Sequence, residues 1–505
     1  MFSVYGTSSR LRPTRGRTPL SWLTFPRPWL LGSAAALALA VSACTASGPA
    51  GPGQAGASHA AASAVTVNDA VRYQVIAGFG ASEAFGQAQT LQNAPADLQS
   101  KALSLLFSRV SGAGLTILRN EISADSGTTI EPTAPASPSA TPAYLPLSAI
   151  GDDQGQLWLA QAIRKQYGVT NVFADAWSAP AFMKTNKSAI NGGTLCGVPG
   201  ATCASGDWRQ AYANYLVQYA KDYAAAGIPL SYVGPENEAD LSRNYDTMLL
   251  SPAQNADFLH YLGPALARSG TGAQVDCCAS PGWDRAQQYA AAIAADPTAS
   301  KWTPLFTSHG YSQAPASPLA GWTKPVWETE WSTFETWDPA WDDGTEASGF
   351  TWAQQIYDGL SAANLNAFLY WWGSTTPSEN GDNEGLLLMD TAAGTVTPSG
   401  RLWAFANYSR FVRPGATRIG ASSADQDLEV VAFRNTDGSV AVVALNNSMT
   451  AKPATFAVGG AGRAVPYLSD ASHDTAAQPP VPVVHGSFGA TLPARSLVTF
   501  VLPAH

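Results

Sequence analysis

A pair of acids in Pro325-Val326-Trp327-Glu328-Thr329-Glu330-Trp331 gives the first chemical hint. Proline followed by β-branched and aromatic residues reads as a short buried strand. Glu328 and Glu330 have the same parity in it and are expected to leave one face together. A carboxylate buried on an apolar strand is costly unless it is paired or at work. A partner for them stands in Val233-Gly-Pro-Glu-Asn-Glu-Ala-Asp240, where Glu236 and Glu238 follow another short apolar run. Two carboxyls facing one pocket suit cleavage of a glycosidic bond. One protonates the leaving oxygen while the other attacks the anomeric carbon or activates water.

Such a pair needs a scaffold that brings distant segments to one mouth. Strands are expected at Tyr73–Ala77, Leu115–Arg119, Asn171–Ala174, Ser231–Gly234, Gln274–Cys277, Pro304–Thr307, Pro325–Trp327 and Ala367–Trp371. Helical patterns separate them; the clearest, Asp207–Ala226, has Tyr212, Tyr215, Leu216, Tyr219 and Tyr223 on one stripe, Asp207 as cap and Gly227 as stop. Eight strands alternating with helices make an α/β chain with a (β/α)8 TIM barrel over 73–411. A doubly wound open sheet is the alternative, and no Gly-rich phosphate loop follows the first strand to support it. In a barrel the C-terminal strand ends form the site. There the third strand runs into Asp175-Ala-Trp177, the sixth into His309-Gly-Tyr311 and the eighth into Trp371-Trp372. After Arg413-Pro-Gly415 the pattern becomes short strands with turns, an all-β sandwich side domain over 412–505, which 64–72 joins as an N-terminal strand.

Composition narrows the partners. Of 505 residues only 13% are charged, 10% are aromatic, 16 are Trp, and the net charge is -9. That sign argues against a nucleic-acid backbone as partner, and flat uncharged rings such as sugars suit the aromatics, although a large core must use most of them. Arg10, Arg12, Arg15, Arg17 and Arg27 precede the apolar run Trp29–Ala43. The run is shorter than the roughly 20 residues of a spanning helix, so 1–43 reads as a signal peptide. Val41-Ser42-Ala43-Cys44 resembles a lipobox, with Cys44 as the lipidated residue, and 44–63 reads as a flexible tether. Contact with a membrane is expected only through that anchor, and the chain is expected to be extracellular and monomeric. Cys196 and Cys203 close a short loop and are expected to pair. Cys277 and Cys278 form a vicinal pair, bridged or free. No Cys-x-x-Cys, Walker loop or His-Glu-x-x-His is present, and Gly80-Ala-Ser-Glu-Ala84 lacks the last glycine of a nucleophile elbow. No metal or cofactor is expected.

Several segments resemble glycoside hydrolase family 30, in clan A. They are Gly78-Phe-Gly-Ala-Ser-Glu-Ala-Phe85, Thr116-Ile-Leu-Arg-Asn120, Trp177-Ser-Ala-Pro-Ala-Phe-Met-Lys-Thr-Asn186, Asn237-Glu238, His309-Gly-Tyr311, Trp327-Glu-Thr-Glu330 and Leu402–Gly415. The stretch from Cys196 to Tyr215 is most similar to the xylan-degrading branch, which includes xylanases, glucuronoxylanases and xylobiohydrolases. This resemblance implies a retaining enzyme with Glu238 as general acid/base and Glu330 as nucleophile. It also implies that Asn237 meets the sugar 2-hydroxyl, Tyr311 orients Glu330, Arg119 favours its ionised form, Trp177 and Trp372 stack, and His309 adds a polar contact. Relatives commonly have Asn-Glu-Pro where this chain has Asn237-Glu238-Ala239, so the loop is expected to shift somewhat. Glu236 and Glu328 are read as supporting carboxylates. The substrate implied is β-1,4-xylan, cut internally or into xylobiose, with β-1,6-galactan or a glucosylceramide-like substrate as alternatives. A noncatalytic carbohydrate-binding protein is the competing class, and it has no need of two buried acids.

Overall fold

The computed structural model describes residues 62–377, 383–460 and 462–504; the signal, most of the tether and Cys44 lie outside the described residues. Eight parallel strands close a barrel: β1 (Gly78–Ser82), β2 (Ile117–Ile122), β3 (Asn171–Ala176), β4 (Tyr232–Gly234), β5 (Gln274–Ser280), β6 (Leu305–His309), β7 (Val326–Glu330) and β8 (Ala367–Thr375). Closure is complete because β8 pairs with both β7 and β1. A hairpin of Gly385–Asp390 and Thr395–Pro398 extends β8 outward.

The expected first strand, Tyr73–Ala77, was misplaced. Tyr73 and Val75 are half exposed and belong to a long strand, Ser63–Val75, that pairs outside the barrel. The barrel instead uses Gly78-Phe79-Gly80-Ala81-Ser82, whose glycines disguise it, since glycine is depleted in strands. Here they are required by close approach. A Cβ at Gly78 would lie 2.2 Å from Thr116 Oγ1, and one at Gly80 2.3 Å from the Ile117 carbonyl oxygen.

Inside the barrel, side chains stack in layers. The lower layer is apolar: Ile117, Phe173, Leu305, Trp327, Ala367 and Leu369 pack together. Outside, the helix Arg209–Ala225 buries the expected stripe of Tyr212, Tyr215, Leu216, Tyr219 and Tyr223. It starts two residues later than predicted, and Asp207 accepts the Arg209 N–H at 3.0 Å. The helix Pro252–Ser269 opens on a capping box formed by Ser251 and Gln254.

Among the described residues the β-domain is a ladder of nine strands, with a tenth, Val481–Val483, paired beside it to Gly462–Asp470. Ser63–Val75 lies between Thr417–Ser423, antiparallel, and Lys452–Ala457, parallel. It begins inside the expected tether and runs past the expected 64–72. Strands Leu428–Arg434, Val440–Asn446 and Ser496–Leu502 are apolar on both faces. Val430, Val442 and Phe500 fill the domain's own core, while Val431, Val443 and Leu497 pack into the barrel's. A sheet buried on both sides fastens the domain to the barrel. Cys196–Cys203 and Cys277–Cys278 are both disulfide-bonded, which resolves the vicinal pair as bridged.

Candidate active site

Strand parity decides what the pocket contains. Ile117 and Trp327 belong to the apolar lower layer; two residues on from Ile117, Arg119 again points inward, and its Nη1 donates to Glu330 Oε2 at 2.5 Å. From Trp327 to Glu330 is three residues, which in a regular strand would put them on opposite faces. The pairing with β6 explains the exception. Ser308 faces Glu328 and the next residue, His309, faces Glu330, so Thr329 is an extra bulged residue. The expectation that Glu328 and Glu330 share a face is therefore overturned by one bulge. Glu328 is fully buried and spends its oxygens on backbone, accepting the N–H of Glu330 at 2.9 Å and of Leu369 at 3.3 Å. It holds the bulge that aims Glu330.

Glu238 comes from the loop after β4, in a left-handed conformation with φ 49°. Such backbone is costly for a non-glycine residue and persists only where neighbours fix it. Its N–H donates to the Ala279 carbonyl at 2.9 Å. Ala239, where relatives commonly carry proline, is buried, and its carbonyl accepts from Leu250 N–H at 3.1 Å, so the turn is held without a ring. Glu236 is bonded away from Glu238: with its amide nitrogen facing the carboxylate, Asn255 donates to both Glu236 oxygens at 2.9 and 2.7 Å.

Glu238, His309 and Glu330 converge, with one ligand-type atom of each within 4.8 Å of the others. One oxygen of each carboxyl thus lies within 4.8 Å of the other, which accords with the roughly 5–5.5 Å carboxyl separation used for direct attack by a carboxylate. Burial raises Glu238 to about 7, with Arg119 and Arg243 opposing. At pH 6 it therefore holds a proton to give. Burial also raises Glu330, while the charge and hydrogen bond of Arg119 pull the other way. Tyr311, its phenol kept protonated by burial, donates to Glu330 Oε1 at 3.0 Å. Each Glu330 oxygen thus has a donor that stabilises the anion. Burial lowers His309 to about 4, so the imidazole is neutral; its Nδ1 lies 3.3 Å from Glu238 Oε1. Two acids of like type are driven apart in behaviour by their contacts.

Asn237 presents its Oδ1 to Arg119 Nη2 at 2.7 Å, which fixes the amide beside the nucleophile. Trp177 lies under the Arg119 guanidinium, 4.5 Å from it. Trp372 stacks on Trp371 at 5.1 Å, and its Nε1 has no partner among the described residues. The aromatic wall is larger than the sequence suggested: Phe85, Tyr245 and Trp371 join Trp177 and Trp372. Phe85 and Tyr245 sit in loops with no periodicity to mark them. Asp175 was noted only as the start of a segment; its Oδ2 takes Arg119 Nε at 2.6 Å.

Residues 76–328 match the Glycosyl hydrolase family 30 TIM-barrel domain and residues 415–500 the family 30 beta sandwich domain. The chain belongs to glycoside hydrolase family 30. Among solved structures, this family 30 glycoside hydrolase is similar to the catalytic domain of GH30 xylanase C from Talaromyces cellulolyticus, with 43% identity and a TM-score of 0.80 over 87% of this chain and 99% of that one. A family 30 subfamily 8 xylanase from Clostridium acetobutylicum aligns at 26% identity and TM-score 0.67, over 87% of this chain and 99% of that one. Among curated sequences, the lysosomal acid glucosylceramidase of Mus musculus is 26% identical over 59% of this chain and 60% of its own length. The endo-1,6-beta-D-glucanase of Neurospora crassa is 26% identical over 74% of this chain and 79% of its own. Hydrolysis of a glycosidic bond is the common ground of the barrel's match and these relatives.

Proposed function

We propose that this glycoside hydrolase cleaves β-1,4-xylan with retention of anomeric configuration, Glu330 attacking and Glu238 serving first as acid and then as base. The observation that supports the mechanism is the proximity of the two carboxyls, one with a proton to give and the other held as an anion by Arg119 and Tyr311. In the first step Glu330 Oε bonds to the anomeric carbon as the glycosidic C–O bond breaks, and the Glu238 proton goes to the departing oxygen. In the second, Glu238 takes a proton from water as its oxygen displaces Glu330. Asn237, fixed by Arg119, is placed for the 2-hydroxyl, and the Trp177–Trp371–Trp372 wall offers stacking faces.

Xylan as substrate is supported by the 43% identity to a family 30 xylanase across nearly that whole chain. A second reading, a β-1,6-glucanase or glucosylceramidase, is favoured by the curated relatives at 26% identity. Glucuronoxylan, arabinoxylan, β-1,6-glucan, β-1,6-galactan and glucosylceramide offered in parallel, with products sized, separate the two. Release of xylo-oligosaccharides alone supports xylan, and glucose or gentio-oligosaccharide release refutes it. Proton NMR of the first product tests retention, because initial appearance of the inverted anomer refutes it. Export, with a lipid at Cys44 tethering the enzyme outside the cell, is part of the same proposal and rests on the N-terminal sequence.

A further inference from the structure

Below the catalytic pair lies a buried acid row that the reaction does not touch. Asp175 on β3 pairs in register with Gly234 on β4, and Val233 with Val275 on β5, which brings Asp276 beside Gly234. Strands β3 and β5 are thus separated by one strand, about 9.6 Å at the usual spacing of about 4.8 Å. Two aspartates meet across that gap only by leaning over the strand between. They do so. A Cβ on Gly234 would stand 2.1 Å from Asp175 Oδ1 and 3.0 Å from Asp276 Oδ2. The residue between two acids is a glycine because both carboxyls occupy the space its side chain would fill.

Both Asp276 oxygens and Asp175 Oδ1 find no other hydrogen-bond donor among the described residues. Both side chains are wholly buried, and two bare anions in contact in a dry interior are not sustainable. The other Asp175 oxygen is committed to Arg119 Nε. The groups facing Asp276 are Asp175 from β3, Arg119 from β2, Tyr232 at the start of β4 and Glu236 two residues past its end. Burial first, and Asp175 next, raise Asp276, with Arg119 opposing.

We propose that Asp276 keeps a hydrogen and donates it to Asp175, and that this acid pair is the positioning device that aims Arg119 at Glu330 and Asn237. Arg119 has three arms, on Asp175, Glu330 and Asn237. With Oδ1 of Asp175 satisfied from below, its charge holds only Nε. Without that hydrogen, Asp175 is a second under-satisfied anion competing for the guanidinium. Arg119 is then drawn down from Glu330, and the nucleophile loses part of what keeps it ionised. Asp276 touches no reacting atom; it acts through Asp175 and Arg119.

The inference rests on Glu330 being the nucleophile, and the test separates the two. Asp276→Asn supplies an amide N–H in place of the acid hydrogen; Asp276→Leu supplies none. In kcat and KM against pH on an aryl β-xylobioside, Asn is expected to keep the wild-type acid limb. Leu is expected to move that limb up by roughly one pH unit and to lower kcat about tenfold at pH 5, with KM within about twofold. Equal impairment of Asn and Leu overturns the proposal. Infrared difference spectra at pH 7, wild type minus Asp276→Asn, give a readout independent of turnover: they cancel the band of Glu238, which both proteins share, and a remaining carboxylic-acid carbonyl band is expected, whose absence from the difference overturns the proposal even if the Leu variant does not fold. Retained activity in Glu330→Gln instead refutes the nucleophile assignment and leaves the infrared result standing by itself.

Discussion

Replacing Glu238 with Gln isolates the proton it supplies. The amide keeps shape and volume at a site where Glu238 is 6% exposed and its Oε1 is 3.3 Å from His309, so folding should survive. With the acid at about 7, roughly ten of eleven wild-type molecules are protonated at pH 6. Nearly the whole general-acid contribution is therefore at stake there, about 10²–10⁴-fold, or about 3 to 5 kcal/mol of barrier. That loss should appear in full on xylo-oligosaccharides, whose leaving group is a sugar alkoxide. It should almost vanish on a dinitrophenyl β-xylobioside, whose phenolate departs without a proton. On the aryl substrate the variant should stall after the first step, because no base activates water. Added azide, a nucleophile needing no base, should restore turnover and yield the β-glycosyl azide. The assay is stopped-flow release of dinitrophenolate beside oligosaccharide hydrolysis. A loss equal on both substrates, with no rescue by azide, would refute the assignment of Glu238.

Glu330→Gln is expected to lower kcat by about five orders of magnitude while calorimetry still detects oligosaccharide binding. The wild-type pH profile of kcat/KM should fall above about pH 7, tenfold per unit, since Glu238 must be protonated to act and its raised value extends the active range upward; a profile flat to pH 9 contradicts this. Gly234→Ala should cost roughly 1–3 kcal/mol in denaturant unfolding, because its Cβ would displace Asp175, and should reduce kcat more than it raises KM. Serine at both Cys196 and Cys203 opens a loop with a sequence separation of 7, for an expected loss of about 2 to 3 kcal/mol with kcat little changed.

Much of the molecule was written in residue types and order. The alternation of apolar runs and helical stripes determined a barrel, because each period of burial admits one kind of element. Acids and aromatics were legible at strand ends; the resemblance to family 30 chose Glu238 and Glu330 among the four acids and pointed to Arg119, Asn237, His309 and Tyr311, and these meet in one pocket. What needed the fold was direction and depth. Period-two counting puts Glu328 and Glu330 together, and only the ladder with β6 reveals the bulge at Thr329 that separates them. Gly78 and Gly80 hid the first strand, since a glycine explained by a neighbour's carbonyl looks in sequence like a turn. Asp175, Gly234 and Asp276 carry no motif because they belong to three strands; their register across the sheet makes them neighbours. A sequence states which side chains exist and which way a regular strand turns them, while protonation, parity at a bulge and contact across strands are properties of the closed barrel alone.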